Sequence, residues 1–178
     1  ACHLGYAIDK EHEGQGLMQE VVAAGIDHLF RERGLHRIMA SYMPANLRSG
    51  ALLELILPRT GETIAVDYSQ SMLNEASRTL GDRKSGVDLR IGYLEHLPLA
   101  DESVDVAVAH MVLHHLAEPL RALKDIRRIL RPDGRCLIVD LKEHNREYMR
   151  ERYADLWLGF NVDEISRWAK EAGFSRNE

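Results

Sequence analysis

The sequence predicts an α/β fold in which a mostly parallel sheet carries helices on both faces. Short apolar and β-branched runs alternate with amphipathic segments of roughly ten to fifteen residues, and this spacing is typical of strand-helix-strand crossover units. The chain has 178 residues, 45% of them hydrophobic, which is enough for one core of ordinary size. Because no repeat or low-complexity linker interrupts the pattern, we expect one compact domain.

The first third of the chain predicts two strands, each followed by a helix. In order, these are a strand at 3–9, a helix from 18 to 34, a strand at 36–43 and a helix through 51–56. A glycine-bearing turn at 11–16 precedes the first helix, and Pro58 ends the second.

The remainder predicts four more strands, at 63–67, 87–91, 104–110 and 135–141. Ser69 should cap a helix that ends at Gly81, and an apolar stripe from Leu120 to Leu130 marks another helix that stops before Pro132. Two helices close the chain. One is lined by Met149, Tyr153, Leu156 and Trp157, and the other is capped by Asn161 with Glu164 and buries Ile165, Trp168 and Ala172.

Charge and composition exclude several partners. A formal net charge of -5 leaves no basic surplus for a phosphate backbone, so we expect no nucleic-acid binding. We also expect no membrane contact and a cytoplasmic location, because neither a membrane-spanning apolar run nor the pattern of a signal peptide is found. Cys2 and Cys136 lie far apart without a CxxC motif, which argues against a disulfide framework and a cysteine-rich zinc site.

Residues 3–56 contain the segments LGYAIDKEHEGQGLMQE and HRIMASYMPANLRSGALLELI. These segments resemble the GNAT acetyltransferases that modify the N-terminal alanine of ribosomal proteins. The resemblance implies acetyl-CoA as cofactor, with its pyrophosphate against Gly14, Gln15 and Gly16 at a helix N-terminus. It also implies that Asn46 lies near the pantetheine arm and that Ser49 is a proton donor, although the two residues could equally form a local cap. The family's first and last elements are not found, so its acceptor-binding half is not expected.

Residues 51–178 contain the segments TIAVDYSQSMLNEA, GYLEHLPLADESVDVAVAHMVLHHL and IRRILRPDGRCLIVDL. They resemble Rossmann-like class I methyltransferases that use S-adenosylmethionine, particularly the ubiquinone-biosynthesis type and relatives found beside metal-sensing repressors. The resemblance implies that Asp67 binds the ribose hydroxyls and that His110 faces the methyl group; the alternatives are a helix-capping acid and a structural histidine. The implied cofactor pocket also includes Tyr68, Tyr93, Leu94, Glu95 and Gly50.

Two other groups of residues invite a functional interpretation. His110 and His114 are four apart and could share a helix face, but no carboxylate or further imidazole follows at a convincing spacing, so the sequence predicts no metal site. His114 and His115 are instead interpreted as helix-terminal or packing residues. Tyr148, Tyr153 and Trp157 could line an acceptor pocket, although their helical spacing favours core packing.

The junction between the two resemblances departs from the methyltransferase pattern. Where that family has a strand ending in an acid and a glycine-rich turn, the chain has Pro44 to Gly50, and only Gly50 fits the turn. The side chains of Leu47 and Arg48 would occupy the cofactor's space, so we expect weak or no binding of S-adenosylmethionine. The segment SGALLEL is common to both resemblances, so it is a natural crossover point between an acetyltransferase fragment at 1–56 and a methyltransferase region at 57–178.

This crossover predicts that strand 36–43 takes the place of the missing methyltransferase strand. Strand 3–9 then has no position beside it, so we expect it to cover the outer edge next to strand 135–141 or to exchange between subunits of a homodimer. Three functions follow: a weakened methyltransferase, an acetyl-CoA-binding fragment, or a non-enzymatic recombinant chain, natural or engineered. The sequence does not reveal a methyl or acetyl acceptor.

Overall fold

The computed structural model describes residues 2–3, 20, 24, 37–41 and 62–175. Its sheet has six strands that all run parallel, in the order β1-β6-β5-β2-β3-β4. The strands are β1 (Cys2–His3), β2 (Arg37–Ser41), β3 (Glu62–Asp67), β4 (Val87–Ile91), β5 (Val104–His110) and β6 (Leu130–Val139). The predicted α/β class with parallel strands is confirmed.

The described helices follow β3, β5 and β6. They are α1 (Gln70–Leu80), α2 (Pro119–Ile129), α3 (Tyr148–Tyr153) and α4 (Val162–Glu171), with 3-10 turns at Gly81–Gly86 and Leu113–His115. Among the described residues no helix has the length and apolar character needed to cross a membrane. The predicted turn at 11–16 and helix 51–56 lie outside the described residues, and of helix 18–34 only Glu20 and Ala24 are described, both helical.

Strand β2 lies at the centre of the sheet, between β5 and β3. Its Met39 is fully buried and is paired with Ala107 of β5 and Ile64 of β3. Residues 37–41 thus lie between the strands at 62–67 and 104–110, and the replacement of the missing methyltransferase strand by 36–43 stays a prediction.

Strand β1 lies at the outer edge, where Cys2 is paired with Leu137 and His3 with Ile138. This is the edge, next to strand 135–141, that the sequence predicted strand 3–9 would cover. Residues 4–9 lie outside the described part, and exchange between subunits stays a prediction.

The core lies around β5 and α2. Val106, Ala107, Val108 and Ala109 of β5 are fully buried, as are four of the five buried residues of α2. Helix α4 adds Ile165 and Ala169, and the rings of Trp157, Phe160 and Trp168 pack together with centroids 5.6–5.7 Å apart. The prediction that Trp157 packs in the core is therefore confirmed.

Two predicted boundaries near β6 are wrong. Leu130 ends the helical stripe in sequence, but its backbone is extended and it is paired with Val104, so it begins β6. A register shift follows, because Val106 is paired with Arg135, and the shift accommodates Pro132 and Gly134 within the strand. The strand ends at Val139 rather than at Leu141, which places Asp140 just beyond it.

The predicted helix through Trp157 is also too long. Helix α3 ends at Tyr153, because Ala154 adopts a left-handed conformation with φ of 57°. The backbone N–H groups of Leu156 and Trp157 then donate to the carbonyl of His114, at 2.9 and 3.0 Å, instead of continuing the helix. Tyr148 and Tyr153 are 53% and 41% exposed, so their predicted place in the core is wrong.

Candidate active site

Three buried polar residues stand at the carboxyl ends of neighbouring strands. Asp67 ends β3, His110 ends β5 and Asp140 follows β6. The carboxyl ends of parallel strands lie at one edge of the sheet, which is where open α/β sheets bind their ligands. This edge is therefore the candidate active site.

Asp67 presents a buried carboxylate at this edge. Its Oδ1 accepts a hydrogen bond of 2.7 Å from the backbone N–H of Ser69, while its buried Oδ2 has no partner among the described residues. Burial raises the pKa of Asp67 to about 6, and the Ser69 hydrogen bond lowers it by a smaller amount. Oδ2 is thus an acceptor for which the described fold supplies no donor.

Ser69 does not cap α1 as predicted through its side chain. It occupies the N-cap position without a side-chain hydrogen bond to the helix, and its hydroxyl is 2.8 Å from that of Ser71. The loop uses its backbone N–H for Asp67 instead. Asp67 was alternatively predicted to cap a helix, and its contact near the start of α1 is the hydrogen bond that it accepts from the Ser69 backbone N–H.

Two tyrosine rings stand beside Asp67. Tyr68 and Tyr93 are 50% and 66% exposed, and their rings are stacked with a centroid separation of 6.4 Å and an interplanar angle of 14°. Leu94, next along the chain, is buried, whereas Glu95 is partly exposed. An exposed aromatic ring offers a face on which a planar heterocycle can stack.

Gly92 fixes this loop against β3. Its N–H donates to the backbone carbonyl of Asp67 at 3.0 Å, and a Cβ at this position would come within 2.5 Å of the Pro98 side chain. Only glycine allows so close an approach. The loop that carries Tyr93 is thus held beside the backbone of Asp67.

His110 is buried at the end of β5, and its Nδ1 has no hydrogen-bond partner within the described part of the chain. Burial lowers the pKa of His110 to about 4, against a smaller upward effect of Asp140, so the ring is neutral at pH 7. Met111 follows with φ of 51°, a conformation that few non-glycine residues adopt outside functional turns.

Asp140 organises the loop after β5. Its Oδ2 accepts from the backbone N–H groups of Val112 and Leu113, at 3.1 and 2.8 Å. Its Oδ1 accepts from the N–H of Leu141 at 2.8 Å and lies 2.5 Å from Nδ1 of His114. One buried carboxylate therefore fixes both the loop that follows His110 and the ring of His114.

A second carboxylate, Asp155, lies beside His114 and His115, and the sequence did not predict this contact. The spacing of about forty residues between Asp155 and the histidines gave no signal, because it depends on the turn at Ala154. Burial and the neighbouring His114 lower the pKa of His115. The interpretation of both histidines as packing residues is therefore incomplete.

Several predicted site residues are not tested by the fold. Gly14, Gln15, Gly16, Asn46, Ser49 and Gly50 lie outside the described residues, as do Leu47 and Arg48. The structure does bring Asp67, Tyr68, Tyr93 and Leu94 together and places His110 at the same edge of the sheet.

A family model described as "Methyltransferase domain" matches residues 47–138, just over half of the chain. The chain belongs to the methyltransferase-domain family. A model described as "Acetyltransferase (GNAT) domain" matches residues 1–56 of the same chain. The two matches overlap at 47–56, and this overlap contains the predicted crossover word SGALLEL, so both predicted resemblances are confirmed.

Relatives of each part agree with the two matches. The methyltransferase region resembles the ubiquinone/menaquinone biosynthesis C-methyltransferase UbiE of Haemophilus ducreyi, with 29% identity over 79% of this chain and 63% of that protein. The N-terminal segment is 53% identical, over 30% of this chain and 27% of the relative, to the [Ribosomal protein uS5]-alanine N-acetyltransferase of Escherichia coli. The chain spans about a quarter of the length of the first curated relatives it matches.

Solved structures support the methyltransferase-like fold. The YcgJ protein of Bacillus subtilis superposes with a TM-score of 0.71 at 21% identity, covering 86% of this chain and 68% of that one. The methyltransferase domain thus keeps its overall fold, and β2, whose residues fall within the acetyltransferase match, lies at the centre of its sheet.

Proposed function

We propose that this methyltransferase domain binds the nucleoside part of S-adenosylmethionine at Asp67 and holds the whole cofactor only weakly. The observation that carries the proposal is the unpartnered, buried Oδ2 of Asp67 beside the stacked rings of Tyr68 and Tyr93. A carboxylate oxygen that lacks a donor is suited to a ribose hydroxyl, and the rings suit adenine. Bound there, the cofactor would supply an electrophilic methyl group.

The chain's own residues would position that group rather than act as acid or base. His110 is neutral at pH 7 and carries a free Nδ1 within the described fold, at the edge where the family resemblance places the methyl group. Methyl transfer depends mainly on in-line positioning of the reacting atoms, and a small misplacement is enough to slow it strongly. No methyl acceptor is proposed.

Residues 44–50 are the reason to expect weak cofactor binding. In a methyltransferase the glycine turn at this place lets the cofactor lie against bare backbone. At the corresponding positions the sequence has Leu47 and Arg48, whose side chains we expect to take up that space, and Pro44, which lacks a backbone N–H donor. The loss of a few kcal/mol of contact corresponds to about 100-fold or more in affinity.

Calorimetric titration with S-adenosylhomocysteine tests both parts of the proposal. We expect wild-type affinity about 100-fold below that of an intact cofactor site, and loss of the remaining heat in Asp67→Asn. Asp133→Asn is the matched control, because Asp133 is exposed on β6. Low-micromolar binding that Asp67→Asn abolishes would refute the weakness alone, whereas weak binding that survives Asp67→Asn would refute the assigned ribose site.

The double variant Leu47→Gly with Arg48→Gly separates steric damage from other causes. If these side chains block the cofactor, restoring glycine should raise the affinity for S-adenosylhomocysteine by about tenfold or more. An unchanged affinity in a variant that melts like the wild type would contradict the steric argument.

Cofactor binding should weaken in acid. The pKa of Asp67 is raised to about 6, so the carboxylate that accepts ribose hydroxyls is mostly ionised at pH 7 and mostly protonated at pH 5. We expect the affinity for S-adenosylhomocysteine to fall about tenfold between pH 7 and pH 5. Calorimetry at a series of pH values checks this, and Asp133→Asn, which leaves the carboxylate of Asp67 in place, should keep the wild-type profile. A flat wild-type profile would show that Asp67 titrates far below pH 6 or does not touch the ligand.

Acetyl-CoA binding is a second candidate, favoured by the 53% identity of the N-terminal segment to an acetyltransferase. It would use Gly14, Gln15 and Gly16, with Asn46 and Ser49 in supporting roles. A thermal melting screen that compares S-adenosylhomocysteine with coenzyme A distinguishes the two candidates, since a ligand bound by the native state alone raises the melting temperature.

A further inference from the structure

A compact cluster of ligand-type side chains is formed by His114, His115 and Asp155. The histidines belong to the 3-10 turn Leu113–His115, and Asp155 follows α3. Each side chain offers one ligand atom, and the three atoms lie within 4.8 Å of one another. The cluster is distinct from Asp67 and its tyrosines, because none of its members belongs to that group.

Asp155 is the first reason to assign a cation to this place. Its side chain is 1% exposed, and neither carboxylate oxygen has a hydrogen-bond partner among the described residues. A buried carboxylate without donors is strongly unfavourable unless a cation balances it. Oδ1 lies 3.8 Å from Nε2 of His114 and 3.6 Å from Nδ1 of His115, beyond hydrogen-bond distance from both.

The orientation of the His114 ring is the second reason. Its Nδ1 is 2.5 Å from Asp140, a carboxylate that already accepts three backbone N–H groups. This contact orients the ring so that Nε2 faces Asp155. A carboxylate that holds the far nitrogen is also the usual support of a metal-binding histidine.

The two segments are held together before any ion binds. The N–H groups of Leu156 and Trp157 donate to the carbonyl of His114, and the indole Nε1 of Trp157 donates to Leu116 at 2.8 Å. His115 Nδ1 is also 3.5 Å from the carbonyl of Ala154, a long contact that a small rotation would break. The two segments are thus preorganised by contacts that do not depend on the ion.

The spacing suits a transition metal. With bonds of 2.0–2.1 Å, ligand atoms of a tetrahedral zinc site are separated by about 3.3 Å, slightly less than the observed 3.6 and 3.8 Å. Two imidazoles with one carboxylate favour Zn²⁺, Co²⁺ or Fe²⁺ over Mg²⁺ or Ca²⁺, which prefer oxygen ligands. We infer that His114, His115 and Asp155 bind a divalent transition-metal ion and leave at least one coordination position open.

Zinc titration of the full chain tests the inference. The protein is stripped with a chelator, freed of it, and titrated with Zn²⁺ by calorimetry, and Co²⁺ absorption reports the coordination number. We expect one equivalent of Zn²⁺ whose affinity falls at least about tenfold in Asp155→Asn and in His115→Ala. His96→Ala is the matched control, because His96 lies outside the cluster.

Two results would overturn the inference. One is wild-type protein that binds no Zn²⁺ at about 100 μM. The other is Zn²⁺ binding that both variants retain, which would place the ion elsewhere.

Zinc X-ray absorption gives a check that does not depend on whether the variants fold. We expect nitrogen and oxygen ligands alone, at about 2.0–2.1 Å. A sulfur ligand would instead assign the ion to a cysteine and contradict the cluster. S-adenosylhomocysteine titration of the stripped protein keeps the cofactor proposal separate from this test.

Discussion

Replacing Gly159 by alanine is expected to lower the free energy of unfolding by about 3–5 kcal/mol. Gly159 has φ of 76°, and a Cβ there would collide with the carbonyl oxygen and carbon of Lys142 and lie 2.8 Å from the backbone nitrogen of Glu143. Backbone cannot rotate away as a flexible side chain can. The neighbouring hydrogen bonds, from Phe160 to Leu141 and from Glu143 to Phe160, at 2.9 and 3.1 Å, would have to lengthen.

Urea denaturation measures this loss, with Gly173→Ala as the matched control. Gly173 has φ of 94°, but a Cβ at this position would lie 3.8 Å from its nearest neighbour, Cγ of Arg127. The control therefore carries only the conformational penalty, about 1–2 kcal/mol. Equal losses in the two variants would show that the contact with Lys142 relaxes, and that the steric argument is wrong.

The second large effect is expected for Asp140→Asn, a change that keeps the volume of the side chain. Asp140 accepts three backbone N–H groups and the ring of His114. Asparagine has one acceptor oxygen, and its amide would present N–H groups to donors on the other side. We expect a loss of about 2–4 kcal/mol in the free energy of unfolding.

Differential scanning calorimetry of Asp140→Asn, with Asp133→Asn alongside, measures this effect. Asp133 carries the same charge on an exposed part of β6, so the control should stay within about 0.5 kcal/mol of the wild type. A comparable loss in both variants would attribute the effect to net charge rather than to the buried hydrogen bonds.

Much of the fold could be predicted from local patterns. Apolar runs bounded by turn residues placed β3, β4 and β5 within a residue or so, and the stripe in α2 identified its buried face. The prediction failed where a tertiary contact decided the conformation. Leu130 continues a helical stripe but is paired with Val104, and the segment after Tyr153 turns because it bonds to the carbonyl of His114.

The candidate site also combines predictable and unpredictable residues. Asp67 was predictable because it ends an apolar strand in the segment TIAVDYSQSMLNEA, which resembles the methyltransferases. Tyr93 was predictable because it lies in a second such segment, which begins GYLEHLPLADE. Asp155 was not predictable, since its approach to His114 depends on a left-handed residue, Ala154, that no glycine or asparagine marks in the sequence. The role of residues 44–50 stays a prediction, because they lie outside the described part of the chain.

The strand order has a consequence for synthesis on the ribosome. Strand β2 cannot acquire its second neighbour until β5 has left the exit tunnel, and β1 has to wait for Leu137 and Ile138 of β6. Contacts so distant along the chain form late and slow the search for the native state. During synthesis β1 and one edge of β2 therefore remain without their partner strands. Over that interval, their unpaired backbone groups can bind chaperones or associate with other nascent chains.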